Sequence, residues 1–301
     1  MGYLYLLLAL AFGLTKAYCG KRTSGAATCF YNAILINFVR MCLCIAVGLL
    51  FVFMDGISSL ACTSPKLLLI SLLSGISVAC FTVSWLLAVR TNAYMIVEVF
   101  VMGGVAVPLI LCRILYREAI GWVQIIGLLL LLVAVYCMCT YRHKEKVSLS
   151  LPNFLLKLLC AISTGISDFS QKLYVKEIAN ASISVFNLYT YIFASIFLVG
   201  LCIGLKPKGT DNTQPSPRVL KPIFLYVVIM AACLFLNAYF KTLSAKHLDA
   251  VLLYPLNQGC AVVLSLVMSV VLFKEKTTAK GIIGIALSVV AVILINMFAP
   301  Q

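Results

Sequence analysis

Apolar residues in this chain come in long runs, each closed by a short polar stop. The runs cover 2–19, 31–54, 66–89, 93–115, 120–140, 153–175, 183–205, 222–245, 250–273 and 278–298. The stops are Lys21-Arg22, Asp55-Gly56, Arg90-Thr91-Asn92, Arg117-Glu118, the stretch YRHKEK at 141–146, and Lys176-Glu177. A helix rises about 1.5 Å per residue, so roughly 20 residues cross the hydrocarbon of a bilayer. Every run meets that length. The two-residue alternation of barrel strands is absent, and a lone span in lipid must satisfy its own backbone. The pattern predicts an all-α, multi-pass membrane protein with ten transmembrane helices.

The chain also repeats itself. LYREAIGWVQIIGLLLLLVAV at 115–135 lies without a gap on LFKEKTTAKGIIGIALSVVAV at 272–292. Apolar matches mean little in so greasy a chain. The pairs Arg117/Lys274, Glu118/Glu275 and Gly127/Gly284, all in register, mean more. A weaker match sets Lys16 on Lys172 and Tyr18 on Tyr174. The expected units are therefore 1–146 and 147–301, each a five-helix repeat, with a polar linker at 206–221 between spans seven and eight. Five spans is an odd number, so the second unit enters the membrane from the opposite side and the 5+5 repeat is inverted.

Composition agrees. The 301 residues are 63% hydrophobic and 11% charged, whereas soluble domains run at about a quarter charged. The formal net charge of +14 does not indicate nucleic acid, because Lys and Arg sit between apolar runs rather than along one groove. The expected surroundings are the lipid bilayer, in the cell membrane, with the chain as monomer or homodimer. Loops after odd-numbered runs hold thirteen basic residues and the other side five, which predicts external termini. The opening run lacks a basic leader and a small-x-small exit, and reads as the first span. Most of the 13 cysteines lie inside apolar runs and no CxxC occurs, so disulfide, metal and cofactor roles are not expected. An enzyme is not expected either. The two histidines, His143 and His247, sit at span ends, and no HExxH, GxSxG or Walker A sequence is present.

Ten short spans in two halves, [R/K]-E at the two matching turns and the Gly-containing helices after them resemble the drug/metabolite transporter superfamily, the EamA-like permeases in particular. The stretch NAYFKTLSAKHLDAVLLYPLNQGCAVVLSLVMSVVLFKEKTTAKGIIGIAL at 237–287 carries most of the likeness. The resemblance implies a central cavity lined mainly by the first, third, fourth, sixth, eighth and ninth spans. It also implies secondary transport of a small organic metabolite or drug by alternating access, by gradient, exchange or protons. A nucleotide-sugar or sugar-phosphate exchanger is the alternative within transport, and a non-transporting receptor or scaffold is the alternative outside it.

Polar residues within apolar runs are the candidate pathway, because a charge in the bilayer costs at least about 2.5 kcal/mol and needs a cavity or partner. Glu98, in the fourth span, serves either as a substrate or proton site or as a group reaching water at the interface. Asp168 and Lys172 stand four apart on one helix face, either a neutral pair or a pair that substrate splits. Lys16 has Phe12 where such a carboxylate would stand, and it either faces the cavity or snorkels. Trp85, Asn237, Tyr239, Lys241, Tyr254, Asn257 and Gln258 offer aromatic and hydrogen-bonding groups at mid-span, against a plain helix-packing role. Lysines 16, 172 and 241 favour an anionic or zwitterionic cargo. Glu118 and Glu275, just ahead of helix starts, read as caps. Gly200 and Gly204 form a GxxxG suited to close helix packing or dimerisation. Arg40 in the second span can pair outward with headgroups, and no functional role is drawn from it.

Overall fold

The computed structural model describes residues 1–91, 94–117, 121–139, 151–178, 182–204 and 217–274, with scattered positions between 283 and 294. Glu118, Glu275, the stretch 141–146 and most of the 206–221 linker lie outside the described residues. The described chain is helical throughout and contains no strand. Its helices are α1 (Gly2–Thr23), α2 (Phe30–Asp55), α3 (Pro65–Thr91), α4 (Tyr94–Gly103), α5 (Ala106–Tyr116), α6 (Trp122–Cys139), α7 (Leu151–Glu177), α8 (Ile183–Gly204), α9 (Pro217–Ala245) and α10 (Ala250–Val271). Six of them, α1, α2, α3, α8, α9 and α10, are long and apolar enough to cross a membrane among the described residues.

Local chemistry sets several of these bounds. Ser64 Oγ accepts the Leu67 amide at 3.2 Å, and Pro65 follows at the first helical position, where its missing N–H leaves nothing unsatisfied. Ser182 Oγ caps α8 in the same way, through the Val185 amide at 3.2 Å. The fourth apolar run is broken: a turn at Gly104-Val105 divides it into α4 and α5. The break lets two backbones meet. A Cβ on Gly104 would collide with the Ala161 carbonyl oxygen of α7, and one on Gly165 with the Gly104 carbonyl oxygen. Arg117 and Lys274, aligned by the sequence repeat, share a left-handed backbone, with φ of 54° and 51°. They are the only non-glycine residues of that kind among the described residues.

The packing interleaves the two halves of the chain. α1 lies along α9, α2 along α8, α3 along α7 and α8, and α4 against α10 and α7. Polarity runs opposite to that of a soluble domain. Leu7, Leu50, Phe53 and Ile196 are at least 60% exposed, while Asn37, Thr82, Asp168, Asn187 and Thr242 are buried. An apolar exterior over a hydrogen-bonded polar interior is what lipid as solvent selects. The GxxxG pair faces that exterior: a Cβ on Gly200 or Gly204 would meet nothing within 4 Å. The close packing expected there does not form among the described residues.

Candidate functional site

The polar interior opens into a central cavity of about 90 Å³. Its walls come from α1, α3, α4, α7, α9 and α10, the six spans the family resemblance implies, with α2 added through Arg40. Of the residues expected on the pathway, Lys16, Trp85, Glu98, Asn237, Lys241, Asn257 and Gln258 all line this cavity.

Glu98 faces inward and not toward the interface. Trp85 Nε1 donates to its Oε1 at 2.9 Å, which fixes the carboxylate against the indole. Lys16 projects from α1 with its Nζ 6.0 Å from the centre of the Phe81 ring, and no carboxylate among the described residues lies within 4 Å of it. Asn237 donates to Ala9 O at 2.6 Å and so ties α9 to α1 where both meet the cavity. Asn257 and Gln258 are buried on α10, and Asn257 Oδ1 has no hydrogen-bond partner.

The expected Asp168–Lys172 pair is replaced by two other arrangements. Asp168 Oδ1 takes Lys241 of α9 at 2.5 Å. Lys172 turns away and donates to Ala245 O at 3.3 Å and Leu248 O at 2.8 Å, with Asp249 3.8 Å off. Carbonyls at a helix C-terminus have no partner within the helix, so an ammonium there is a cap. Lys172 holds the α9–α10 turn and lines neither central chamber. Two other expected pathway residues also sit outside the cavity walls. Tyr254 is buried and donates to Asp168 O at 2.6 Å. Tyr239 packs among Phe51, Phe235 and Phe240.

Arg40 is the residue the sequence reading missed. It is 3% exposed, lines the cavity, and does not reach headgroups. Its Nη1 donates to Asn37 Oδ1 at 3.4 Å, and Asn37 is itself held by bonds to Ala33 O and Thr82 O. Its Nε has no partner. A signal was available: Ala33, Asn37, Arg40, Cys44 and Gly48 fall on one helical stripe of small and polar residues, which marks the buried face of a span.

A second chamber, of about 50 Å³, adjoins the first and shares Lys16, Phe81, Thr164, Asn237 and Lys241 with it. Asp168, Gln171, Asn187 and Thr190 complete its polar wall. The joined site therefore presents two basic side chains, Lys16 and Arg40, in no ion pair among the described residues, a carboxylate held by an indole, and the Asp168–Lys241 pair.

The EamA-like transporter family matches residues 152–297. Multidrug resistance protein EbrA of Bacillus atrophaeus is 34% identical over 109 residues, 36% of this chain and 97% of that protein. Quaternary ammonium compound-resistance protein QacG of a Staphylococcus species is 38% identical over 115 residues, 38% of this chain and 97% of that protein. One crystal structure shares the fold at a TM-score of 0.68 and 15% identity, covering 97% of both chains. The chain is thus an integral, multi-pass membrane protein and belongs to the EamA-like transporters of the drug/metabolite superfamily.

Proposed function

We propose that the protein is a secondary transporter in the cell membrane that carries a small organic anion or zwitterion through the central cavity by alternating access. One observation carries the choice of cargo. Among the described residues, Lys16 and Arg40 face the cavity with no carboxylate in ion-pair contact, while Lys241 is already paired with Asp168. A cation in a low-dielectric site gains most when an anion arrives, and a guanidinium offers a carboxylate or phosphate two parallel donors. Glu98 across the same cavity supplies a partner for an ammonium, which admits zwitterions.

On this reading the chain is the ten-span inverted repeat expected from its sequence. Arg117 and Lys274 hold matching left-handed turns, and the halves pack against each other around the cavity. The cavity, at about 90 Å³, is small for an organic solute. A solute enters only when the lining helices separate on one side, as alternating access requires.

A second reading follows from the relatives, whose names speak of multidrug and quaternary ammonium resistance. An organic cation would then sit between Glu98, Trp85 and Tyr94. Uptake and counterflow in proteoliposomes decide between the two. With anions as cargo, carboxylates and phosphates exchange and Arg40→Gln abolishes the exchange. Transport of lipophilic cations alone, unaffected by Arg40→Gln, sinks the anion reading, and no transport of either class supports a receptor or scaffold.

A further inference from the structure

The second chamber has a hydrogen-bonding pattern of its own. Asp168 Oδ2, Gln171 Oε1, Asn187 Nδ2 and Thr190 Oγ1 each lack a partner within the protein. Their residues are 1%, 4%, 1% and 3% exposed, and all four line the same space between α3, α7, α8 and α9. A buried polar atom is normally bonded, and four together around about 50 Å³ are costly in a low-dielectric interior. The chemistry of the four restricts what satisfies them. The Asp168 and Gln171 oxygens need donors, the Asn187 amide nitrogen needs an acceptor, and the Thr190 hydroxyl takes either role.

A carboxylate or phosphate head only accepts and leaves Asp168 and Gln171 unsatisfied. An ammonium only donates, and an apolar group does neither. A hydroxyl donates one proton and accepts on its lone pairs, and adjacent hydroxyls meet all four atoms. We propose that this chamber is a hydroxyl-binding subsite of the transport pathway. With the anion reading above, on which this assignment of the cargo rests, the cargo is a polyhydroxylated organic anion. Its charged end lies at Lys16 and Arg40 and its hydroxyls lie against Asp168, Gln171, Asn187 and Thr190. The five residues common to both chambers let one molecule occupy them together. Asp168 has a divided role: Oδ1 holds Lys241 and Oδ2 faces the cargo.

The test is a two-by-two comparison on the full-length protein in nanodiscs, read as thermal stabilisation over a concentration series. The probes are glycerate, propionate, glycerol and 1-propanol. The hydroxylated member of each pair binds about tenfold tighter or more, since a site that hydrogen-bonds a hydroxyl rejects the analogue lacking it. Thr190→Val and Gln171→Leu each shrink that contrast while leaving propionate unchanged. Equal binding of glycerate and propionate overturns the subsite, as does absence of stabilisation by both hydroxylated probes. Failure of the anion reading has a different signature: glycerol then matches glycerate while both still exceed their deoxygenated partners, which supports the subsite and removes the charge preference. The wild-type comparison stands even if a variant fails to fold.

Discussion

The Lys241 ammonium lies 2.5 Å from Asp168 Oδ1, with the carboxylate side chain 1% exposed. This contact joins α9 to α7 inside the bundle and removes one charge of each sign from the cavity wall. Breaking a buried pair from one side strands the other charge, at about 3–5 kcal/mol. Lys241→Met is therefore expected to lower the melting temperature sharply, and Asp168→Asn added to it to recover most of the loss. A melting temperature unchanged by Lys241→Met shows that the pair does not hold the helices together.

The Gly104–Gly165 contact predicts a position-specific intolerance. An added Cβ on either collides with carbonyl backbone, which cannot rotate away, whereas one on Gly103 meets nothing within 4 Å. Overpacking of this kind costs about 1–3 kcal/mol or more. Gly104→Ala and Gly165→Ala should destabilise the purified protein or prevent its accumulation, and Gly103→Ala should have little effect. Similar melting curves for Gly103→Ala and Gly104→Ala contradict the close approach.

Much of this architecture was legible in the apolar runs, because lipid forces each span to be long and helical. Lys16 and Glu98 stood out for the same reason, since a charge within a span needs a cavity, a partner or a reach to the interface, but the sequence left those alternatives open. Partner choice was not legible. Asp168 and Lys172 satisfy the four-residue rule within α7, yet Asp168 is answered from α9, which rises beside it only after folding. Lys172 went instead to the free carbonyls of a helix end that no sequence spacing links to it. Arg40 was misjudged because a long side chain in a span can snorkel. The small-residue stripe around it carried the opposite message. The break at Gly104-Val105 was missed although the run 93–115 carries breaker signals, Gly103-Gly104 and Pro108, because a Gly pair in a long apolar run is equally compatible with an unbroken, closely packed helix.

Lys172 yields a prediction that separates structure from transport. It caps carbonyls at the α9–α10 turn and touches neither chamber. Lys172→Met should lower stability by about 1–3 kcal/mol, the usual loss when buried acceptors lose a charged donor. The rank order of cargoes should stay the same. A changed rank order, measured by counterflow in proteoliposomes, returns Lys172 to the pathway.

The turns at Arg117 and Lys274 predict a gain. Both side chains are exposed and both backbones are left-handed, a conformation that disfavours residues with a Cβ by about 1–2 kcal/mol and suits glycine. Arg117→Gly and Lys274→Gly should each raise the melting temperature slightly. Destabilisation by both shows that the side chains make contacts worth more than the backbone strain.

Glu98 bears on what drives transport. Trp85 Nε1 holds its Oε1 at 2.9 Å, and Lys16, Arg40 and Tyr94 line the same cavity. Glutamine keeps an acceptor oxygen for the indole but can neither gain nor lose a proton at that position. Under the proton-coupling proposal, wild-type proteoliposomes accumulate cargo when a pH gradient is imposed. Glu98→Gln loses that accumulation while it retains exchange of cargo for cargo, because exchange needs the cavity to alternate but not to release a proton. Two results separate the roles of the carboxylate. If both activities vanish in Glu98→Gln while Trp85 fluorescence keeps its wild-type spectrum, the carboxylate contacts the cargo directly. If wild type and Glu98→Gln both transport independently of pH, Glu98 carries no proton in the cycle, and the driving force lies in the cargo gradient or in exchange.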